Sequence, residues 1–158
     1  MTKKKKAILA MAAVAMAANA IYFYARYHST YDIKCDAYVS YQAKQDDFGY
    51  DVVITMDLLN DASGLFGIEG TMRKGTNSWT LNRDVAFNYQ HLQTHDIRLD
   101  EVRIIKHGRD NSPDEIFDRN FISLKDDASR TISLAKVMNG YVVGTLRAPV
   151  FTCLTHSR

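Results

Sequence analysis

Two cysteines, Cys35 and Cys153, stand near opposite ends of the chain that follows the apolar N-terminal stretch. Thiols so placed have two ordinary fates. In an oxidising compartment an even pair closes a disulfide; otherwise both stay buried as small apolar groups. No Cys-x-x-Cys pair occurs, so thiol redox catalysis has no sequence support. His91 and His95 are spaced i, i+4, the interval at which two imidazoles on one helix face can bind a metal. Here they fall between strand-like segments, which favours exposed loop histidines over a metal site. Asp46-Asp47 and Asp126-Asp127 are paired carboxylates in turn-rich stretches, where solvation accounts for them better than acid–base chemistry or calcium. His95-Asp96 completes no nucleophile arrangement, no serine sits in a Gly-x-Ser-x-Gly elbow, and no glycine-rich phosphate loop is present. No enzyme, catalytic residue, metal or cofactor is therefore expected.

The elements around these residues begin with residues 3–27, KKKKAILAMAAVAMAANAIYFYARY. Ala7 to Ala25 carries no charge, and as a helix it would span roughly 28 Å, close to the hydrocarbon thickness of a bilayer. Lys3, Lys4, Lys5 and Lys6 would stay on the cytoplasmic side. Tyr22, Phe23 and Tyr24 would settle in the far headgroup layer, where amphipathic rings collect. This predicts a cytoplasmic tail and transmembrane anchor over residues 1–27 and a periplasmic domain over residues 28–158, held in the inner membrane of a bacterium by a single pass. With only a few residues before the helix, no DNA-binding module is expected inside. A cleavable signal peptide, cut after Ala20, is the alternative. Continuation of the apolar run to Ala25 argues against it, and both readings place the domain in the same compartment.

Charge sharpens the picture. Five of the 20 basic residues lie before residue 28, leaving 15 against 18 acidic ones in the exterior part. A domain of that sign lacks the basic footprint of direct nucleic-acid binding. In the periplasm, Cys35 and Cys153 are expected to bridge and staple the first strand to the last. The constraint on so long a loop is worth roughly 4–5 kcal/mol on a chain-entropy argument. Two buried free thiols remain the other reading.

The exterior part reads as mainly β. Strands are expected at residues 31–42, 50–58, 65–74, 78–89, 96–107, 131–137, 141–147 and 150–155, from period-two alternation and from Tyr, Val and Ile content. Turn chemistry separates them, including Asn60-Asp61-Ala62-Ser63-Gly64 and Met138-Asn139-Gly140. One short helix is expected over residues 113–120, with Ser112-Pro113-Asp114-Glu115 as a capping box. The fold class is a transmembrane helix followed by a curved antiparallel sheet, or an incomplete lipocalin-like barrel with one short helix. Ile54, Met56, Phe66, Ile68, Trp79, Phe87 and Tyr89 are expected to line its interior, either filling it or enclosing a small apolar ligand. An incomplete barrel also has free strand edges that invite another chain.

The lysine-led anchor, the strand Ile33-Lys34-Cys35-Asp36-Ala37, the segment Asn139-Gly140-Tyr141-Val142-Val143-Gly144 and the ending Pro149-Val150-Phe151-Thr152-Cys153 together resemble the FidL-like membrane proteins of enteric bacteria. That family is similar to ToxS and other small anchored proteins, which partner a membrane-spanning regulator of the ToxR type with a cytoplasmic winged-helix domain. The resemblance implies a heterodimer through the exterior domains, signal transduction, and a shared site of the bile-salt kind. It carries the cysteine pair onto Cys35 and Cys153 and implies no ligand residues. The alternative function is a stand-alone periplasmic lipocalin-like binder of a small apolar molecule.

Overall fold

The computed structural model describes residues 3–27, 31–43, 45, 47–92, 95–121, 130–145 and 149–155. The carboxylates Asp46, Asp126 and Asp127 lie outside the described residues, as do the side chains of Lys3–Lys6. The chain opens with helix α1, Lys3–Tyr27. Eight strands follow: β1 Ile33–Ala43, β2 Phe48–Leu58, β3 Ser63–Lys74, β4 Asn77–His91, β5 Asp96–Lys106, β6 Thr131–Val137, β7 Gly140–Thr145 and β8 Pro149–Thr155, with helix α2 at Asp114–Asn120 between β5 and β6.

Each strand pairs antiparallel with its neighbours in sequence, and β8 returns to β1, so the sheet is a closed up-and-down barrel. Closure corrects the expectation of an incomplete barrel. The pairing that closes it, Cys35 to Thr155 and Asp36 to Leu154, joins the two ends of the domain and leaves no mark on local patterning. The disulfide forms at this place, with Cα atoms of Cys35 and Cys153 5.4 Å apart.

Alternation decides what fills the barrel. Odd-numbered β4 residues Leu81, Val85, Phe87 and Tyr89 are buried, and so are Val52, Ile54, Met56 and Leu58 of β2. Period two sends one face of every strand inward. At Gly64 an added Cβ would come within 2.4 Å of the Phe87 ring, so a bare backbone is what lets that ring approach β3 so closely. Gly70 has φ +156°, and its Cβ would meet the Asp51 carbonyl oxygen at 2.1 Å.

Two local expectations change. The β6–β7 turn consists of Met138-Asn139, with Val137 paired to Gly140, one residue earlier than an Asn-Gly turn. Gly140 is instead held against β8, where a Cβ would meet the Cys153 carbonyl oxygen at 2.4 Å. Helix α2 begins at Asp114, and its N-cap Pro113 has no side-chain cap. The Ser112 hydroxyl does not cap the helix; it is spent on Asp110, at 2.6 Å. Pro149 opens β8 beside a register shift at Val143/Gly144, the irregularity that a missing N–H favours.

Among the described residues no helix is long and apolar enough to cross a membrane. The described side chains of α1 are those of residues 10–24, and all are exposed.

Candidate functional site

An antiparallel meander puts alternate connections at opposite ends of a barrel. The β2–β3, β4–β5 and β6–β7 turns share the end at which the chain reaches β1. The β1–β2 and β3–β4 turns share the other end with the segment that leads into α2.

The α2 end is organised by a buried cation. Arg83 has the inward parity of Leu81 and Val85, and it is 2% exposed. Its Nε donates to Asp110 Oδ2 at 2.9 Å, and its terminal nitrogen donates to the Ser112 carbonyl at 2.9 Å and the Ser112 hydroxyl at 3.0 Å. The guanidinium also lies 4.5 Å from the ring centre of Phe117, the fully buried residue of α2. Asp110 further accepts from the Asn82 and Ser112 amides, at 2.9 and 2.8 Å. Burial pushes the Asp110 carboxyl up, but these donors, led by Arg83 and the Ser112 hydroxyl, outweigh it and hold the group down to about 2. A charge desolvated this completely persists only when paired and fully hydrogen-bonded. Aromatic contacts complete the attachment of α2: Phe117 on Phe121 at 5.2 Å and Phe121 on Tyr50 at 4.7 Å between ring centres. An open groove of about 480 Å³ lies beside the helix, lined by Tyr41, Phe48, Lys74, Ile116 and Arg119 among others.

At the opposite end Tyr89 ties down the approach to β1. Its hydroxyl donates to the Leu59 carbonyl at 2.7 Å and accepts from the Tyr31 amide at 2.9 Å. Tyr31 packs on His91 with ring centres 4.6 Å apart. Burial lowers the His91 pKa. Among the described residues no group of side chains could hold a metal ion.

The sequence-derived interior set is placed as follows. Ile54, Met56, Phe66, Ile68, Phe87 and Tyr89 are all buried, at 8% exposure or less. Phe66 and Phe87 pack ring to ring at 5.0 Å. Trp79 is only half-buried, toward the α2 end of β4. None of the seven lines the groove beside α2. Of the membrane-interface set, Tyr22, Phe23 and Tyr24 are 58–67% exposed. Arg83 escaped the sequence reading, although its parity on β4 was the available signal.

The barrel wall is unevenly sewn. β1 pairs with β2 along its whole length, from Ile33 to Ala43. With β8 it pairs only at Cys35 and Asp36. From Ala37 to Ala43 the other edge of β1 has no strand partner among the described residues, and neither do Val150–Cys153 of β8 on the side facing β1. β5 and β6 share only three register pairs, Asp96 to Ser133 through Arg98 to Thr131. Beside the split, Tyr38 is 73% and Val150 57% exposed. The Asp51 carboxylate crosses the outer face to accept from the Ser40 hydroxyl at 2.6 Å and from Arg73.

No curated protein matches the chain. A family model described as FidL-like putative membrane protein matches residues 70–153, which takes in β4 to β7, the Arg83–Asp110 pair and β8 as far as Cys153. On that match, which spans more than half of its length, the chain belongs to the FidL-like membrane protein family.

Proposed function

We propose that this protein is the membrane-anchored, periplasmic accessory subunit of a sensor pair. In this reading α1 crosses the bacterial inner membrane once, with its N-terminus in the cytoplasm. The barrel meets the exterior domain of a ToxR-type regulator, whose own winged-helix domain contacts DNA. Two features support the anchor. Ala7 to Ala25 is uncharged, and Met11, Val14, Met16 and Ile21 of α1 are 67–69% exposed. Apolar area of that extent is ordinarily covered by lipid or protein. The single observation that carries the pairing is the β1–β8 split. Its N–H and C=O groups from Ala37 onward can accept a strand of another chain, with Tyr38 and Val150 beside it as apolar anchors. An apolar small-molecule site of the bile-salt kind would then lie between the two chains. The role requires no catalytic step.

Photo-crosslinkers placed at Tyr38 and Ser40 in the full-length protein, activated in native membranes, test this reading. Capture of a single-pass winged-helix protein from those positions, and not from Glu69 on β3, is expected. If the split captures no more of such a protein than Glu69 does, the pairing is wrong.

The alternative, a stand-alone binder of an apolar ligand, has the barrel architecture in its favour. It has less support from the interior, where a ligand would have to displace the Phe66 and Phe87 rings.

A further inference from the structure

The end of the barrel at which the chain reaches β1 carries apolar side chains that its turns do not need. Leu59 in the β2–β3 connection is 38% exposed, Leu92 after β4 is 48%, Val137 at the end of β6 is 45%, and Met138 is 90%. Met138 is the informative one. It has φ +48°, a left-handed conformation that a two-residue hairpin fills at least cost with Asn or Gly. A bulky apolar residue there accepts backbone strain and almost complete exposure together. Strain of this kind is retained where it serves a contact.

These positions come from three different connections, yet the meander brings them to one end. That is also the end to which Tyr31 is pinned, by its amide on Tyr89 Oη and its ring on His91. Tyr31 follows the last residue of α1, Tyr27, by four residues. Fully extended, four residues reach at most roughly 14 Å. If α1 spans a bilayer, the rim cannot stand farther than this short tether allows from the surface at which α1 ends. Asp61 on the same rim is turned back onto the Ser63 amide and hydroxyl, at 3.0 and 2.6 Å, so its charge is engaged within the turn.

We infer that the rim formed by Leu59, Leu92, Val137 and Met138 lies in the surface layer of the same bilayer, with Met138 as its leading side chain. The occupant of this apolar patch is lipid, and the barrel stands on the membrane with α2 and its groove facing away. The inference rests on the anchored reading of α1 given above.

The chain supplies its own probes, because Met11 and Met16 sit in α1, Met72 is buried within the barrel and Met138 is on the rim. The full-length protein, carrying ¹³C-methyl methionine, is placed in nanodiscs of zwitterionic lipid. Its spectrum is recorded with a nitroxide on the upper acyl chain of the lipid, and separately with a water-soluble gadolinium chelate. The expected result is attenuation of Met138 by the lipid nitroxide well beyond Met72, together with shielding from the chelate. If Met11 and Met16 are attenuated while Met138 matches Met72 and stays open to the chelate, the rim is free and the inference is overturned although the anchor stands. Shielding of Met138 from the chelate without attenuation by the lipid probe means that protein covers the rim, which also overturns it. If Met11 and Met16 escape the lipid nitroxide, the anchored reading fails, and the rim contact with it.

Discussion

Arg83 Nε stands 2.9 Å from Asp110 Oδ2, and this pair joins the middle of β4 to the segment that leads into α2. The contact reaches across 27 residues of sequence and fastens a short helix whose first residue, Asp114, also pairs with Arg83 at 2.8 Å and with Lys106 at 3.3 Å. Seven residues of helix are marginal alone, so α2 depends on the cation beneath Phe117 and on the rings of Phe121 and Tyr50.

Replacing Arg83 by Met should therefore cost about 3–5 kcal/mol, because the buried Asp110 loses its nearest cation and keeps only the more distant Lys106, at 3.7 Å. Arg83→Met combined with Asp110→Asn should recover part of the loss. Urea denaturation of the two variants against wild type measures the difference, and equal losses in both would rule out a coupled pair.

The same pair sets an acid limit. The Asp110 carboxyl is lowered from 3.8 to about 2 in the fold, so its contribution is complete above its unfolded value. That contribution declines as pH falls through the interval between the two values, toward 2. Thermal unfolding between pH 5 and 2 should show a steeper loss for wild type than for Asp110→Asn. Parallel curves would remove Asp110 from the acid response.

His91 works in the opposite chemical sense. Burial lowers its pKa, so the folded protein prefers the neutral ring that packs on Tyr31. Stability is then full above the ordinary histidine value of 6.5 and is lost as pH falls below it, because the unfolded chain takes up the proton more readily. His91→Phe should flatten the melting temperature between pH 7.5 and 5.

The disulfide should account for about 2–4 kcal/mol of barrel stability, less than the chain-entropy figure because residual structure already restricts the unfolded chain. Cys153→Ser should lower the melting temperature and speed hydrogen exchange at Cys35 to Tyr38 more than along the β2–β3 pair. Intact wild-type protein should react with less than one equivalent of thiol reagent when denatured without reductant.

At Gly64 the ring of Phe87 occupies the space of a side chain. Gly64→Ala should destabilise by about 1–3 kcal/mol through overpacking. Shortening the ring, in Gly64→Ala with Phe87→Leu, should cost less than the two separate losses combined. Strict additivity in a double-mutant cycle would show that the clash is relieved elsewhere.

What the sequence disclosed follows from how local each signal is. Period-two alternation marked β2, β3 and β4, because inward and outward faces are written in adjacent residues such as Trp79 to Tyr89, whereas the other strands were marked more by residue type and by the turns between them. The cysteine pair was legible from the count and from the compartment expected of the chain. Closure of the barrel was not, since β1 and β8 meet across 118 residues at only two register positions. Arg83 drew no role from the sequence because its partner Asp110 sits in a connection with no periodicity. Ser112 looked like a helix cap because the motif Ser-Pro-Asp-Glu is locally complete, and only the approach of Arg83 and Asp110 redirects its hydroxyl. The split beside Tyr38 and the rim around Met138 were invisible for a related reason. An exposed apolar residue in a strand or turn means little until the fold gathers several of them in one place.

The narrow join between β1 and β8 also has a meaning in time. A ribosome releases β1 long before β8, so through nearly the whole of synthesis the first strand waits with one side unoccupied. Hairpins from β2 to β7 can form one after another as they emerge, each from neighbours already present. The last strand must then find the first, and Cys153 must find Cys35, after everything between them has been made. A chain halted before Pro149 would possess most of its hairpins and no closed wall, and would present the whole β1 edge to whatever strand it next encountered.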